Sequence, residues 1–170
     1  MRLEELQSYQ IFVDLDGVIV DFRKKATELV GIDKPVDQMD SKDKRRFWSA
    51  VAIYEKGGGR FWEEMDPMPD AEELWSYVKK YNPTILTASG SVGDAPDEKR
   101  IWVRKHLGSN VPIIVTKASA DKALEGRAAP HHILIDDSKR SIGPWNAAGG
   151  IGIMHTSAAS SIMELKKLGL

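Results

Sequence analysis

Short unbroken apolar runs recur along this chain, each followed by a stretch of helical spacing, and that alternation restricts the fold more than any other feature. The runs lie at 9–13, 84–86, 111–115, 132–135 and 151–154. They are rich in Ile and Val and lack the in-out alternation of a half-exposed strand, as strands covered on both faces require. Helical patterns fall near 70–80, 95–106, 119–125, 139–147 and 157–168. Strands alternating with helices predict an α/β fold, here a Rossmann-like central parallel sheet flanked by helices. With 170 residues, the chain suits one domain with room for a modest insertion. A chain of this size buries roughly 70% of its unfolded surface.

Residues 23–64 break the rhythm. They are charged throughout, contain the glycine triplet 57–59 and show no strand pattern. A small helical cap inserted after the first strand is expected there, leaving 1–22 and 65–170 as the core. Pro67 and Pro69 then prevent a helix from continuing and return the chain to the sheet. The aromatics Phe22, Phe47, Trp48, Tyr54, Phe61 and Trp62 admit two readings. They can form the core of a small helical unit poor in other large apolar residues, or a surface on which a base stacks. The basic run 42–46 reads as a solvated helix face, with phosphate steering as its functional alternative.

Composition removes several kinds of chemistry. Cysteine is absent, so thiol catalysis, disulfides and thiolate metal sites are excluded. Any metal must sit on oxygen ligands or histidine. A formal net charge of −1, from 24 basic and 25 acidic residues, argues against a dedicated nucleic-acid or membrane-surface binder. The first ten residues lack a signal peptide's apolar segment and no long apolar run follows, so a cytoplasmic location is expected. A Gly-rich phosphate loop of the Lys-Ser/Thr type is missing, which leaves ATP-driven chemistry without support.

The densest chemical signal is Asp14-Leu15-Asp16-Gly17-Val18, directly after the first strand. At a strand's carboxyl end, with a glycine permitting a sharp turn, both carboxylates can converge on one ligand, and ligands of open α/β sheets bind at that edge. Alone, Asp-X-Asp is a weak signal. Three more fall at the same edge of a parallel sheet: Thr87-Ala88-Ser89 after the second strand, Lys117 and Lys122 after the third, and Asp136-Asp137-Ser138 after the fourth. Taken singly, each has a plain reading: a helix cap for Asp136-Asp137-Ser138, a strand-end residue for Thr87, a solvated helix face for Lys122. Together they supply oxygen ligands for Mg²⁺ and donors for phosphate oxygens.

In that ordered set the chain resembles the haloacid dehalogenase superfamily of phosphohydrolases. Within it, the chain looks like the 5′(3′)-deoxyribonucleotidases, including their phage and bacterial relatives. The supporting segments are Asp21-Phe22, 61–71 and 99–108. The resemblance covers most of 9–140, is thin across 31–52 and stops near 145.

What the resemblance implies is concrete. Asp14 would be the nucleophile that forms an aspartyl-phosphate, and Asp16 the acid and base. Mg²⁺ would be held by Asp14, the backbone carbonyl of Asp16 and Asp136, with Asp137 ordering a metal-bound water or the lysine. Thr87 would bind a phosphoryl oxygen. Lys122 is favoured over Lys117 as the charge-neutralising lysine, with Lys117 free to touch phosphate. Phe22, Trp62 and Tyr54 would face the substrate beside Ala88 and Ser89, where close relatives carry a hydroxyl in place of Ala88. A nucleotide-sized phosphomonoester is the expected partner. A larger phosphorylated group such as a nucleic-acid 3′ end, or a catalytically quiet binding role, is the alternative. No stable nucleic-acid complex and no membrane is expected, and a homodimer is compatible with the sequence.

Overall fold

The structure, a computed structural model, describes residues 8–90 and 93–170. Residues 1–7 and 91–92, which the sequence assigns to the core, lie outside the described residues. Five strands form one parallel sheet: β1 (Gln10–Val13), β2 (Thr84–Ala88), β3 (Ile113–Thr116), β4 (His132–Asp136) and β5 (Ile151–Met154). Their order is β3-β2-β1-β4-β5. The chain builds outward on one side of β1 and then on the other. The loops leaving β1 and β4 therefore diverge and open a crevice at the carboxyl edge.

The strands read as continuous apolar runs because each face of the sheet is covered. Successive side chains point to opposite faces. Ile11 and Val13 enter one apolar cluster with Ile85, Ile133, Ile135 and Ile153. Phe12 enters the opposite cluster with Leu86, Leu134, Ile142 and Trp145. The first cluster is covered by α3 (Ala71–Val78), α4 (Ala95–His106) and α7 (Ala158–Lys167), the second by α5 (Lys122–Glu125) and α6 (Lys139–Ala147). The Asp70 carboxylate accepts from the Ala158 N–H at 2.7 Å and ties the start of α3 to that of α7.

Between β1 and β2 lies a helical excursion. It consists of α1 (Phe22–Val30), a 3₁₀ turn at Val36–Gln38, and α2 (Ser41–Lys56). Asp21 and Asp40 cap the two helices by accepting from Lys24 N–H at 3.0 Å and Asp43 N–H at 2.8 Å. Phe22, Phe47, Phe61 and Trp62 are buried against one another, with Phe22–Phe47 and Phe47–Phe61 ring centroids 5.4 and 5.6 Å apart. They share one cluster with Ile11 and Val13, so the excursion packs onto the sheet domain as a continuous apolar mass. The chain returns through Met68, whose N–H donates to Ile19 O at 2.7 Å. Among the described residues no helix is long and apolar enough to cross a membrane.

Trp145 is the largest member of the smaller cluster and is fully buried. Its ring meets Phe12 edge-on at 5.2 Å and its indole N–H donates to His132 O at 3.2 Å. Trp145→Ala is expected to lower unfolding stability by about 3–5 kcal/mol, the usual cost of deleting a buried large aromatic. Urea denaturation measures this, and a loss under about 1 kcal/mol would show that α6 contributes little to that face.

Candidate active site

Four connections at the carboxyl edge deliver the functional side chains. The first leaves β1 through Asp14, Leu15, Asp16 and Gly17. Leu15 O accepts from the N–H groups of Val18, Ile19 and Val20, folding this segment into a tight turn. Gly17 sits at φ +81°, and a Cβ there would lie 2.0 Å from Asp137 Oδ2. Glycine is thus needed twice, for its backbone and to let Asp137 approach.

Asp14 and Asp136 end adjacent strands and are both buried, with Lys122 between them. The Lys122 ammonium lies 2.9 Å from Asp14 Oδ1 and 2.6 Å from Asp136 Oδ2. Burial alone would lower the lysine's pKa. The two carboxylates outweigh that and hold it well above the ordinary lysine range, so the ammonium stays charged. Asp137 brings one carboxylate oxygen within 4.8 Å of the other two aspartates' oxygens. Three carboxylates against one ammonium leave two negative charges in a small space. Loss of water and the charges of Asp14, Asp136 and Asp16 push Asp137 up to about 8, although its side chain opens to the cleft. Burial and then Asp14 push Asp136 to about 6. A hard divalent cation suits this donor set and relieves this charge.

Asp16 turns elsewhere. Its Oδ2 accepts from Lys99 Nζ at 2.6 Å, and the same ammonium donates to Thr87 Oγ1 at 3.0 Å and Ala88 O at 2.8 Å. Its carboxylate therefore stands outside the Asp14–Asp136–Asp137 oxygen cluster, while Asp16 lines the same cleft as Asp14. Burial raises the Asp16 pKa, and the Lys99 charge opposes that rise. Lys99 is buried on α4 and lies 4.8 Å from the Trp62 ring centroid. The sequence motifs did not single it out. Its signal was present: Ala95, Glu98, Lys99, Trp102 and Val103 repeat at helical spacing on the buried face of α4, which puts two charged residues inside. The neighbouring Glu98 accepts from Trp62 N–H at 2.9 Å and holds the end of the excursion against α4.

The site floors a cleft of about 660 Å³. Phe22, Trp48 and Trp62 contribute its aromatic wall, and Ala88, Ser89 and Lys117 also line it. Phe22 and Trp62 are thus cap core and cleft wall at once. The Ser89 hydroxyl donates to backbone carbonyls, Gly90 O at 3.1 Å or Thr116 O at 3.3 Å, so it does not replace the hydroxyl missing at Ala88. Tyr54 is not brought to the cleft: its hydroxyl bonds Glu64 and receives Lys25 Nζ at 3.5 Å, on another side of α2. Lys117 is exposed, while Lys122 holds the buried position between the carboxylates. Ser138 does cap α6, accepting from Arg140 N–H at 3.3 Å, yet Asp136 and Asp137 face the site.

No protein-family model and no curated protein matches the sequence. Solved structures do match. A hydrolase from Streptococcus pneumoniae aligns over 94% of this chain and 99% of its own, at 15% identity and a TM-score of 0.58. A haloacid dehalogenase-like family hydrolase from Xanthomonas campestris aligns over 99% and 95%, at 11% identity and a TM-score of 0.58. A HAD-superfamily hydrolase from Ehrlichia chaffeensis aligns over 95% and 97%, at 14% identity and a TM-score of 0.52. Identities this low speak to architecture alone, and over nearly its whole length the chain has the fold of haloacid dehalogenase-like hydrolases.

Proposed function

We propose that this chain is a Mg²⁺-dependent phosphomonoesterase of the haloacid dehalogenase type, acting on nucleoside monophosphates through an aspartyl-phosphate. The observation that carries the reading is the buried Lys122 joining Asp14 to Asp136, with Asp137 beside them, at the floor of an aromatic-walled cleft. Asp14, Asp136 and Asp137 would hold the metal, which when bound neutralises the phosphate and the carboxylates that must approach it.

The chain's own residues divide the remaining work. Lys122 engages Asp14 Oδ1, leaving Oδ2 to attack phosphorus while the ester P–O bond breaks. Asp16 gives a proton to the departing alkoxide. It then takes one from the water that attacks the acyl phosphate, releasing inorganic phosphate and regenerating Asp14. Lys99 fixes Asp16 in place and donates to the Thr87 oxygen. Thr87 is fully buried and does not line the cleft, so its part is to hold the Lys99 ammonium in position. Phe22, Trp48 and Trp62 offer a base a surface for stacking.

The charge accumulation sets a sign for pH dependence. A carboxyl with an unfolded pKa of about 4 and a folded value near 8 keeps more protons in the folded state between those values. Unfolding stability in EDTA should therefore fall as pH rises from about 5 to 8. Asp137→Asn or saturating Mg²⁺ should flatten that fall, and denaturant titrations across pH measure both. A profile unaffected by either would contradict the carboxylate cluster as the cation site.

Lys99→Met keeps the stem and removes the charge. It should lower kcat/KM by about 100-fold or more and move the activity profile to higher pH, because Lys99 holds the Asp16 carboxyl down against burial. Wild-type kinetics in this variant would remove Lys99 from the mechanism.

Asp14 and Asp16 separate on leaving-group chemistry. Asp14→Asn should abolish turnover of every substrate. Asp16→Asn should be nearly inactive on nucleotides, whose alkoxide needs an acid, yet release a burst of p-nitrophenolate, a leaving group with a pKa of about 7 that hardly needs one. Rapid-mixing absorbance reads the burst. A burst from the Asp14 variant would reverse the assignments.

A further inference from the structure

Besides Asp14, Asp16, Asp136 and Asp137 at its floor and Asp37 on the α6 side, the cleft is lined by five basic side chains, and not all of them are held by these carboxylates. Lys122 is committed to Asp14 and Asp136, and Arg23 to Asp33 at 2.9 Å. Lys44, Lys117 and Arg140 also line the cleft. They come from three separate elements: α2, the segment after β3, and the first turn of α6. Among the described residues none of the three has a carboxylate within 4.0 Å. Beside Arg140, Ser141 is fully buried, lines the same cleft and has a hydroxyl without a hydrogen-bond partner. Like charges gathered around one cavity repel, so an anion that lies between them is favoured.

We propose that these side chains form a second anion subsite, and that the substrate is a phosphomonoester bearing a further phosphate, with a nucleoside bisphosphate as the chemical class. This deepens the phosphomonoesterase reading and rests on it for the placement of the transferred phosphate at Asp14. The cleft volume of about 660 Å³ suits a small molecule of that kind. Ser138 Oγ donates to Asp37 Oδ2 at 2.9 Å, tying the excursion to the loop after β4. That contact crosses the α6 side of the cleft and favours a compact ligand over a polymer threaded past the site. Lys44 belongs to the basic run 42–46, so part of that run faces the cleft rather than bulk solvent.

Calorimetric titration into the Asp14→Asn chain separates binding from turnover. The probes are deoxyadenosine 3′,5′-bisphosphate, the 3′- and 5′-monophosphates, and a short oligonucleotide with a 3′ phosphate. The bisphosphate should bind at least tenfold more tightly than either monophosphate at low salt. Lys44→Gln with Arg140→Gln should bring that ratio near one. Equal affinities, a preference that survives the double substitution, tighter binding of the oligonucleotide, or no measurable bisphosphate binding would each overturn the subsite. Phosphate release by the wild-type chain is assayed in parallel on the same compounds. A retained binding preference without release of phosphate from any of them supports the subsite while rejecting the phosphomonoesterase reading.

Discussion

The ammonium of Lys122 between Asp14 and Asp136 is the interaction on which the site depends. Two carboxylates at the ends of neighbouring strands, both buried, repel strongly where solvent cannot screen them. Breaking such a pair by removing one partner typically costs about 3–5 kcal/mol, since a buried charge is left uncompensated. The lysine that prevents this comes from α5, a helix of four residues. Its seat is made by Gly126, where a Cβ would lie 2.7 Å from Leu86 Cδ2 and 2.8 Å from both the Trp145 ring and Lys122 O. The close approach of this turn to Leu86 and Trp145, which glycine at 126 permits, thus helps to position the ammonium.

The sheet order turns this local arrangement into a functional edge. Because β1 lies between β2 and β4, the residues after all three strands meet over one crevice. Several of them serve structure and site together. Ser138 caps α6, donates to Asp37 of the excursion, and gives its N–H to Asp136 Oδ1 at 2.9 Å. Lys99 joins α4, the Asp16 turn and the end of β2 with one ammonium. Phe22 and Trp62 bind the excursion to the sheet domain while facing the cleft. Substitutions at these positions therefore act on stability and chemistry at once.

Much of this was legible in the sequence for identifiable reasons. Strands covered on both faces leave unbroken apolar runs, and β5 begins and ends where its run does. Polar residues at the ends of such runs mark the carboxyl edge, which exposed Asp14, Asp16, Thr87 and Asp136. Lys99 and Glu98 were hidden because the motif lies on strand ends, whereas these two sit on the inner face of a helix. Tyr54 illustrates the opposite error. It shares α2 with Trp48, but six positions at about 100° each turn the two side chains roughly 120° apart, so only one reaches the cleft. Aromatic content in a segment identifies material for a core and does not say which ring meets a ligand.

The central claim is that the Asp14 carboxylate forms a bond to phosphorus. The most direct measurement is peptide mapping by mass spectrometry of the Asp16→Asn chain, acid-quenched during reaction with p-nitrophenyl phosphate and Mg²⁺. Acid preserves acyl phosphates, and loss of the Asp16 base slows their hydrolysis. The account predicts one added phosphoryl group on the peptide that carries Asp14, absent when Asp14 is also replaced by Asn. A phosphoryl group on another residue, or none on any peptide while p-nitrophenolate is released, would contradict it.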